Sequence, residues 1–342
     1  MTRTTILVTG GAGFVGSHFA RAAAEAGRAV VVLDDLSGGP PAVLPPGVPL
    51  VVGDIGDGPA LRRLCATHHV GAVAHFAGKI QVGESVAHPD VYFDVNLVRS
   101  LTLLEAIRDE GITACLFSSS AAVYGTPAAV PIPELARREP VSPYGATKLA
   151  FEFALEAWGT AFGLRWAALR YFNAAGAHPD GTLRESHQPE THLIPLAIDA
   201  ALGLRPPLTV FGDDYDTPDG TCVRDYIHVT DLASAHLLAL ARLEQGQTLG
   251  AVNLGTGHGY SVREVIEATA QAVGRPVPHV IGPRRAGDPP RLVADPARAT
   301  ALLAWHPARS DLATIVEDAA RSRLQGAQPS APSQAPAPPA GP

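Results

Sequence analysis

Two residues in this chain have types and a spacing that suit proton transfer. Tyr144 and Lys148 are four residues apart, so on a helix their side chains face the same way. A phenol of ordinary pKa, about 10, is a poor base at neutral pH. A lysine ammonium within about 4 to 6 Å lowers the pKa of an acid by about 1 to 3 units. Tyr144 could then accept a proton from an alcohol. On its own, however, the pair would also fit an ordinary surface helix.

Three consecutive serines, Ser118 to Ser120, follow the apolar run that starts at Cys115. Catalytic residues of parallel sheets collect at the carboxyl ends of strands. We therefore interpret Ser120 as the hydroxyl that would bind the reacting oxygen and pass its proton to Tyr144. The first two serines are expected only to satisfy the end of the strand.

A glycine-rich turn, Thr9 to Gly16, predicts a binding site for a cofactor that could accept hydride from the same alcohol. The turn follows an apolar run and opens a helical pattern from Phe14 to Ala26. Gly10 allows a tight turn, Gly13 lets the backbone approach a pyrophosphate, and Gly16 permits close packing of helix on strand. The start of the helix supplies free N–H groups and a positive dipole. A dinucleotide site is predicted, although glycine turns also serve plain strand–helix junctions.

The next apolar run ends in Asp34, at the distance where an acid takes the adenosine ribose hydroxyls. Asp34 and Asp35 would repel a 2′-phosphate, and no Arg or Lys follows before Arg62. The sequence therefore favours NAD over NADP. The plainer interpretation of Asp34 is a solvated carboxylate that ends a strand.

The elements that must position these residues alternate along the chain. Continuous apolar runs separated by helical patterns predict a parallel sheet covered on both faces, which is an α/β, doubly wound (Rossmann) fold. The runs are Thr4 to Thr9, Ala29 to Leu33, Leu50 to Val52, Ala72 to Phe76, Cys115 to Ser118 and Trp166 to Leu169. The helical patterns are Phe14 to Ala26, Pro59 to Thr67, Val91 to Arg108 and Tyr144 to Phe162.

The texture of the sequence changes after Tyr171. Residues 1–172 are predicted to form the cofactor-binding domain, and 173–322 a smaller C-terminal substrate-binding lobe with short helices. Those helices are predicted at Leu193 to Leu202, Leu232 to Ala241 and Val262 to Val273. The stretch Tyr226 to Leu254 is expected either to stay in the second lobe or to return to the large sheet. Residues 325–342, rich in Pro and Ala, are predicted to be a disordered tail.

The composition of the 342 residues restricts the partners. A net charge of −7 argues against nucleic acid and anionic membranes, which favour a basic face. Cys65, Cys115 and Cys222 are odd in number and far apart, so we expect reduced thiols in the cytoplasm. The histidines lack a zinc-type spacing, so no metal is expected. No apolar stretch has membrane-spanning length, and the first strand starts too early for a signal peptide.

From about Thr4 to Leu312 the chain resembles the extended short-chain dehydrogenase/reductase family and, within it, the branch that epimerises UDP-hexoses. The matching stretches are TGGAGFVGSH, LDDLSGG, GDIGD, HFAGKIQVGES, FSSSAAVYG, SPYGATKL, LRYFNAAGAHPDG, HLIP, VFGDDYDTPDGTCVRDYIHV, NLGTG and RRAGDPP. The resemblance implies a NAD cofactor, a UDP-hexose substrate and the interconversion of UDP-glucose and UDP-galactose. It also implies a homodimer formed through Val91 to Arg108 and Tyr144 to Phe162.

Carried over residue by residue, the resemblance implies that Tyr144 is the base, Lys148 its electrostatic partner and ribose ligand, and Ser120 the substrate-binding hydroxyl. The cofactor would contact Gly10, Gly13, Phe14, Val15, Gly16, Asp34, Asp35, Leu36, Ser37, Asp54, Ile55, Phe76, Ala77, Gly78, Lys79, Asn96, Ser118, Tyr144, Lys148 and Tyr171. The substrate would contact Ser120, Tyr144, Phe172, Asn173, His192, Leu193, Phe211, Arg224, Arg285, Asp288 and Leu292, with the two arginines pairing with the diphosphate.

Several positions depart from the family pattern. Lys79-Ile80 stands where many members have Leu-Lys, Val95 replaces the first of two Asn residues, Ala122 replaces a Thr, and His192 replaces an Asn. At the position of Leu292, members restricted to glucose and galactose carry Tyr, whereas members that accept N-acetylated sugars carry a small residue. Leucine is intermediate in size.

Two rival functions remain for this sequence. A sugar-nucleotide dehydratase needs an acidic pair directly after the catalytic hydroxyl, and related decarboxylases commonly carry a glutamate there; this chain has Ala121 and Ala122. A non-catalytic dinucleotide sensor would keep the glycine turn but could lose Tyr144 and Lys148. Both pairs of residues therefore favour an epimerase.

Overall fold

The structure, a computed structural model, describes residues 4–38, 42, 44–285 and 287–327. Its strands in chain order are β1 (Thr5–Thr9), β2 (Val30–Asp34), β3 (Leu50–Val52), β4 (Val70–His75), β5 (Ala114–Ser120), β6 (Arg165–Tyr171), β7 (Asn173–Ala175), β8 (Leu208–Phe211), β9 (Val223–Arg224), β10 (Tyr226–His228), β11 (Gly250–Leu254), β12 (Tyr260–Ser261), β13 (His279–Gly282) and β14 (Arg291–Leu292). Its α-helices are α1 (Phe14–Glu25), α2 (Gly58–Thr67), α3 (Val82–Ala87), α4 (Pro89–Phe93), α5 (Arg99–Asp109), α6 (Pro143–Phe162), α7 (Leu193–Ala201), α8 (Val229–Glu244), α9 (Val262–Val273), α10 (Ala297–Leu303) and α11 (Leu312–Ala327).

Seven strands form a central sheet in the order β11-β6-β5-β4-β1-β2-β3, and every pair is parallel. The direction of winding reverses between β1 and β4, so the crevice at their carboxyl ends is the place where open sheets of this type bind ligands. The glycine turn after β1 and the loop after β4 both open into this crevice.

Helices cover both faces of the sheet, because the side chains of each strand alternate between them. On one face Ile6 and Val8 pack with residues of α1 and α8, while on the other Leu7 packs with residues of α2, α5 and α6. The predicted doubly wound parallel fold is confirmed. The inner strands β1, β2 and β4 are short apolar runs, as expected for a sheet buried on both sides, whereas the edge strand β3 exposes Leu50 and Val52.

The second lobe is built from short strands around two apolar clusters. One cluster joins α7, α9 and α11, and the other joins α7 and α9 with β8. Helix α8 and strand β11 do not belong to this lobe. Helix α8 packs against α1, and β11 pairs with β6 at the edge of the central sheet. Residues 229–254 therefore return to the large sheet.

Two predicted segments differ from the structure in ways that matter for the site or the tail. The single helix expected over Val91 to Arg108 is three segments, α4, a π-helical turn (Asp94–Val98) and α5. The wider turn places the buried side chain of Asn96 against the backbone of Lys79, which helical periodicity alone cannot indicate. The tail was predicted from residue 325, but α11 continues to Ala327. The rest of the predicted tail, 328–342, lies outside the described residues.

Candidate active site

The glycine turn is packed too tightly for side chains at two positions. A Cβ on Gly10, where φ is +69°, would lie 2.4 Å from the backbone nitrogen of Ala77, and one on Gly16 would lie 2.2 Å from the carbonyl oxygen of Gly10. At Gly13, by contrast, the nearest atom would be 3.4 Å away. Gly13 is also the N-cap of α1 and has no side chain to cap the helix. The backbone N–H groups of Phe14 and Val15 thus remain accessible to an anion, as the pyrophosphate interpretation requires.

Asp34 is fixed beside this turn by two backbone donors. The N–H of Ala12 donates to its Oδ2 at 2.9 Å, and the N–H of Leu36 donates to its Oδ1 at 2.9 Å. Ser37 donates from both its N–H and its hydroxyl to Asp35 Oδ1. Each oxygen of Asp34 keeps a lone pair, so the carboxylate is oriented and can still accept hydroxyl protons.

A cation near the proposed adenine end was missed by sequence reasoning. Arg99, at the start of α5, forms ion pairs with Asp54 and, at 2.7 Å, with Asp94. Asp54 also accepts from Gly56 N–H at 2.7 Å, while Ile55 is buried under the sheet. No local sequence pattern could indicate this ion pair, because Arg99 is 45 residues from Asp54. Two carboxylates balance its charge, so this end keeps its acidic character.

The loop after β4 is held in place by Asn96. Its amide oxygen accepts from Lys79 N–H at 2.7 Å and its amide nitrogen donates to Lys79 C=O at 3.0 Å, so both polar groups are used on the backbone. A Cβ on Gly78 would lie 2.9 Å from the same amide oxygen. Phe76 and Ala77, the first residues of this loop, pack against the core on opposite faces of the sheet. The Lys79 ammonium points to Glu84, 3.7 Å away, at the rim.

Tyr144 and Lys148 lie on the first turns of α6, which begins after Ser142. The hydroxyl of Ser142 accepts from Gly145 N–H at 3.2 Å and so caps the helix. Lys148 is buried, and its ammonium donates to the Ser118 carbonyl at 3.0 Å and lies 5.8 Å from the Tyr144 ring centroid. The strand end and the helix start are thus tied together by a lysine.

Around this lysine the hydroxyls converge. Ser118 forms a short hydrogen bond with the phenol of Tyr171, and the Ser120 side chain is close enough to Tyr144 to oppose the rise in the pKa of its phenol. Ser120 also accepts from Ala122 N–H at 3.2 Å, which starts a 3₁₀ turn over Ala121–Tyr124. The structure therefore brings Ser120, Tyr144 and Lys148 to the carboxyl end of β5.

The charge states of the pair differ from the expectation. Burial lowers the pKa of Lys148 to about 8. Burial also raises the pKa of Tyr144, and the Ser120 side chain opposes this only in part. The expected lowering of the Tyr144 pKa is therefore wrong for the protein's own groups, because the loss of water around the phenolate outweighs them.

Tyr92 packs against the ring of Tyr144, and no sequence pattern indicated it. Its ring meets that of Tyr144 edge-on, with centroids 6.5 Å apart. Its hydroxyl donates to Glu84 at 2.8 Å and accepts from Gln81 N–H at 2.9 Å. An aromatic residue within an apolar helical run looks like core, so no sequence signal distinguished it.

A buried polar network lies directly behind the site. Glu152 on α6 and Arg170 on β6 form an ion pair whose side chains are only 3% and 1% exposed. Ser119 donates to Glu152 at 2.6 Å, and Arg170 donates to the Tyr124 hydroxyl at 2.8 Å. Tyr124 in turn donates to Asn253 on β11 at 2.7 Å. The network joins α6, which carries Tyr144, to three strands of the sheet.

The second lobe supplies the other predicted residues. Arg224 pairs with Asp288, and the Arg285 guanidinium lies 4.0 Å from the centroid of the Phe211 ring. Leu292 pairs with Arg224 across β14 and β9. Phe172 and Leu292 pack against a cluster that includes Ala121, Tyr124 and Leu149, and Asn173 donates its N–H to Asp225 C=O at 3.1 Å. These contacts bring predicted substrate-binding residues of the second lobe next to the residues around Ala121 at the end of β5.

His192 and Leu193 stand at the start of α7. Although burial alone would lower it, the carboxylates of Glu185 and Glu190 raise the pKa of His192 to about 10. Its Nδ1 lies 2.7 Å from Glu185 Oε1 and 2.8 Å from Glu190 Oε1. The position is therefore an imidazolium at neutral pH, in contrast to the neutral Asn of many relatives.

Comparison with known proteins decides the family. The profile of the NAD dependent epimerase/dehydratase family matches residues 6–255. The chain belongs to this family. A curated relative from Azospirillum brasilense named UDP-glucose 4-epimerase is 51% identical over 314 residues, which cover 92% of this chain and 90% of the relative.

Solved structures of epimerases are similar over nearly the whole length of this chain. A UDP-glucose 4-epimerase from Brucella ovis in complex with NAD is 49% identical, with a TM-score of 0.90, and the match covers 93% of this chain and 98% of that one. A UDP-glucose 4-epimerase from Bifidobacterium longum in complex with NAD+ and UDP is 38% identical, with a TM-score of 0.87, covering 94% and 98%.

Two further predictions from the sequence concern the state of the cysteines and membrane-spanning segments. All three cysteines are buried, and Cys115 and Cys222 carry free thiols. Among the helices that the structure describes, none is long and apolar enough to cross a membrane.

Proposed function

We propose that this protein interconverts UDP-glucose and UDP-galactose by oxidation at C4 of the hexose, rotation of the keto sugar and reduction from the opposite face. The observation that carries the proposal is the convergence of Ser120, Tyr144 and Lys148 beside the glycine turn. Relatives that are 51% and 46% identical bear the name UDP-glucose 4-epimerase. Ala121 and Ala122 follow the catalytic serine, so the acids of a dehydratase or decarboxylase are absent there.

NAD is the cofactor that these residues fit. It supplies the hydride acceptor, and in the second half of the reaction the hydride donor. The turn from Gly10 to Gly16 would receive its pyrophosphate, Asp34 its adenosine ribose, and Asp54 with Ile55 its adenine. Two consecutive acids, Asp34 and Asp35, disfavour a 2′-phosphate, which supports NAD over NADP. The predicted contacts at Phe76 to Lys79, Asn96, Ser118 and Tyr171 line the path from this end to Tyr144.

The chain's own residues would move the proton. Ser120 binds the C4 hydroxyl and relays its proton to Tyr144, which accepts it as hydride leaves C4. Lys148 stabilises the phenolate through its charge, and it offers donors to the cofactor ribose. On return, Tyr144 gives the proton back to the C4 oxygen. Tyr92 and Asn96 hold the walls of the site in place and take no part in the transfer.

The second lobe would bind the nucleotide tightly and the sugar loosely. Arg224 and Arg285 would pair with the diphosphate, assisted by Asn173, His192 and Leu193. Phe211 and Asp288 position the two arginines. Loose contact with the sugar allows the keto intermediate to turn over and present its other face.

We further propose the division of the chain and its assembly. Residues 1–172 together with 229–254 and α10 form the NAD-binding domain, and the remaining residues up to 322 form the UDP-sugar lobe. A homodimer through α4 to α6 is supported by exposed apolar side chains there, including Phe93 (41% exposed) and Phe153 (48% exposed). Light scattering should then give twice the chain mass. Free buried thiols support a reducing compartment such as the cytoplasm.

The proposed reaction is tested by incubating the purified protein with UDP-galactose and resolving the products. UDP-glucose should appear without added NAD and without net accumulation of NADH, because the hydride returns in each turnover. NADH released in step with sugar conversion would instead identify a dehydrogenase.

Leu292→Ala tests the size of the sugar pocket. Leu292 is half-buried at the edge of the cluster that packs on Ala121. Overfilling a packed site costs about 1 to 3 kcal/mol, which is about one to two powers of ten in rate. We expect efficient turnover of UDP-galactose, weak turnover of UDP-N-acetylgalactosamine, and a gain of about tenfold on the latter in the variant.

As a matched control, Leu238→Ala shortens an exposed leucine on α8 and should leave the ratio of the two rates unchanged. Equal rates on both sugars before mutation, or no gain after it, would show that Leu292 does not limit the pocket.

The pH profile tests the charge of Lys148. Burial lowers its pKa to about 8, so the side chain is an ammonium below this pH and neutral above it. Since the phenolate of Tyr144 needs the positive charge, kcat/KM should fall as pH rises through about 8. Lys148→Arg keeps its charge and should lose this alkaline limb, whatever its absolute rate. A wild-type profile that stays level to pH 10 would contradict the assignment.

A further inference from the structure

A second cluster of ionisable side chains lies in the segment that leads into α7, and it shares only His192 with the proposed substrate site. Glu185, His187, Glu190 and His192 each offer one ligand atom, and all four atoms lie within 4.8 Å of one another. The segment spans only eight residues, yet its sequence has no familiar zinc spacing. The chain has to fold back on itself between Glu185 and His192 to bring the four together.

The contacts converge on the carboxylate of Glu185. Its Oε1 lies 3.1 Å from Nδ1 of His187 and 2.7 Å from Nδ1 of His192. Oε1 of Glu190 lies 2.8 Å from the same Nδ1 of His192. Glu185 is 5% exposed, so its oxygen faces the two imidazoles and not water. Four donor atoms, one from each residue, therefore surround one small volume.

We propose that these four residues bind one divalent transition-metal ion of the zinc type. Two imidazole nitrogens and two carboxylate oxygens form a donor set that suits zinc, whereas magnesium and calcium favour oxygen ligands alone. Ligands about 2.0 to 2.1 Å from a tetrahedral ion stand roughly 3.3 Å apart, so the hydrogen-bonded pairs would move apart slightly and the wider pairs, which lie within 4.8 Å, would move closer. Two carboxylates also balance a double positive charge.

The ligands are braced from outside, as metal ligands usually are. Glu190 accepts from the backbone N–H groups of Thr191 and His192, at 2.7 and 2.8 Å, which orients its carboxylate. Arg184, next to Glu185, donates to the Ser322 carbonyl at 2.9 Å and thereby fixes the start of the segment to α11. When the ion binds, the proton that His192 shares with the two carboxylates is released to solvent.

Because of the position of the cluster, the ion would have a structural role. The Gln81 amide donates to the Pro189 carbonyl at 3.4 Å, so the segment touches the loop that carries Lys79. The ion would tie this contact to the start of α7. Coordination through Nδ1 leaves Nε2 of His192 available as a hydrogen-bond donor.

Metal binding is measured directly on the full chain after chelator treatment and gel filtration. Zinc is added in competition with a chromophoric chelator, and cobalt is added separately as a spectroscopic probe. We expect one ion per chain, visible ligand-field bands of tetrahedral cobalt, and a raised Tm with zinc. His187→Gln should weaken zinc binding on the order of 100-fold or more, since even partners of ligands contribute about 10 to 100-fold.

His306→Gln is the control for stray binding, because His306 is exposed and lies after α10. It should keep the stoichiometry and the cobalt spectrum. Glu190→Gln is the second ligand variant, in case His187→Gln does not fold, and it should also weaken binding. No retained ion in the wild-type chain, or equal binding by the wild-type chain and a folded ligand variant, would overturn the proposal. Neither result depends on epimerase activity.

Discussion

Tyr144→Phe is expected to lower turnover by about 10² to 10⁴-fold, the range that general acid–base catalysis contributes. The phenylalanine ring keeps its contact with Tyr92, so the walls of the site should remain in place. Only the phenolic oxygen, the proposed proton acceptor, is removed. NAD should stay bound, because the glycine turn and Asp34 are not affected. Turnover is measured from UDP-galactose, and bound cofactor from its absorbance after denaturation.

Tyr260→Phe provides the matched control, since Tyr260 is half-buried in the second lobe, where its ring packs against His258. Tyr260 lies opposite Arg224 across β12 and β9, but the variant keeps its ring and removes only a hydroxyl that takes no part in proton transfer, so turnover should remain within about twofold of the unmodified protein. A Tyr144→Phe variant with near-normal turnover would remove Tyr144 from the role of base. Loss of NAD together with activity would assign it to cofactor binding.

Glu152→Ala is expected to lower the free energy of unfolding by about 3 to 5 kcal/mol. The substitution leaves Arg170 charged and 1% exposed, with its two strongest hydrogen bonds removed. Ser119 loses its acceptor as well. Urea denaturation followed by circular dichroism measures the change. Activity should fall with it, because α6 carries both Glu152 and the catalytic pair.

Glu156→Ala is the control, one turn further along α6, where Glu156 is exposed. Its effect should stay within about 0.5 kcal/mol. Replacing both partners by leucine should recover much of the loss, because a buried ion pair often exchanges with apolar residues at little cost. A Glu152→Ala protein as stable as the Glu156→Ala protein would show that Arg170 finds another partner.

Most of the fold could be predicted from local sequence patterns. The apolar runs and helical patterns gave the order of the first six strands, with boundaries near those observed, because each pattern depends on residues within one element. The glycine turn and Asp34 were found for the same reason: they follow directly from the ends of β1 and β2. Tyr144 and Lys148 share one helix, so their spacing alone placed them on one face.

What the sequence could not indicate depends on residues brought together from distant elements. Arg99 meets Asp54 across 45 residues, and Tyr124 meets Asn253 across 129, so no periodicity records these pairs. The raised pKa of Tyr144 is of the same kind, since it arises from the desolvation of the folded site and not from a neighbour in sequence. The π-helical turn was missed because it depends on Asn96 binding the loop after β4.

The return of α8 and β11 to the large sheet means that the polypeptide passes repeatedly between the two lobes. Ala299 and Trp305, which follow β14, pack again on the large-sheet core, before α11 joins the second lobe once more. A single proteolytic cut at any one crossing would therefore leave the halves connected by the other crossings. The sugar lobe cannot be excised as a contiguous fragment, and hinge bending between the lobes must be shared by several backbone segments, which limits its amplitude.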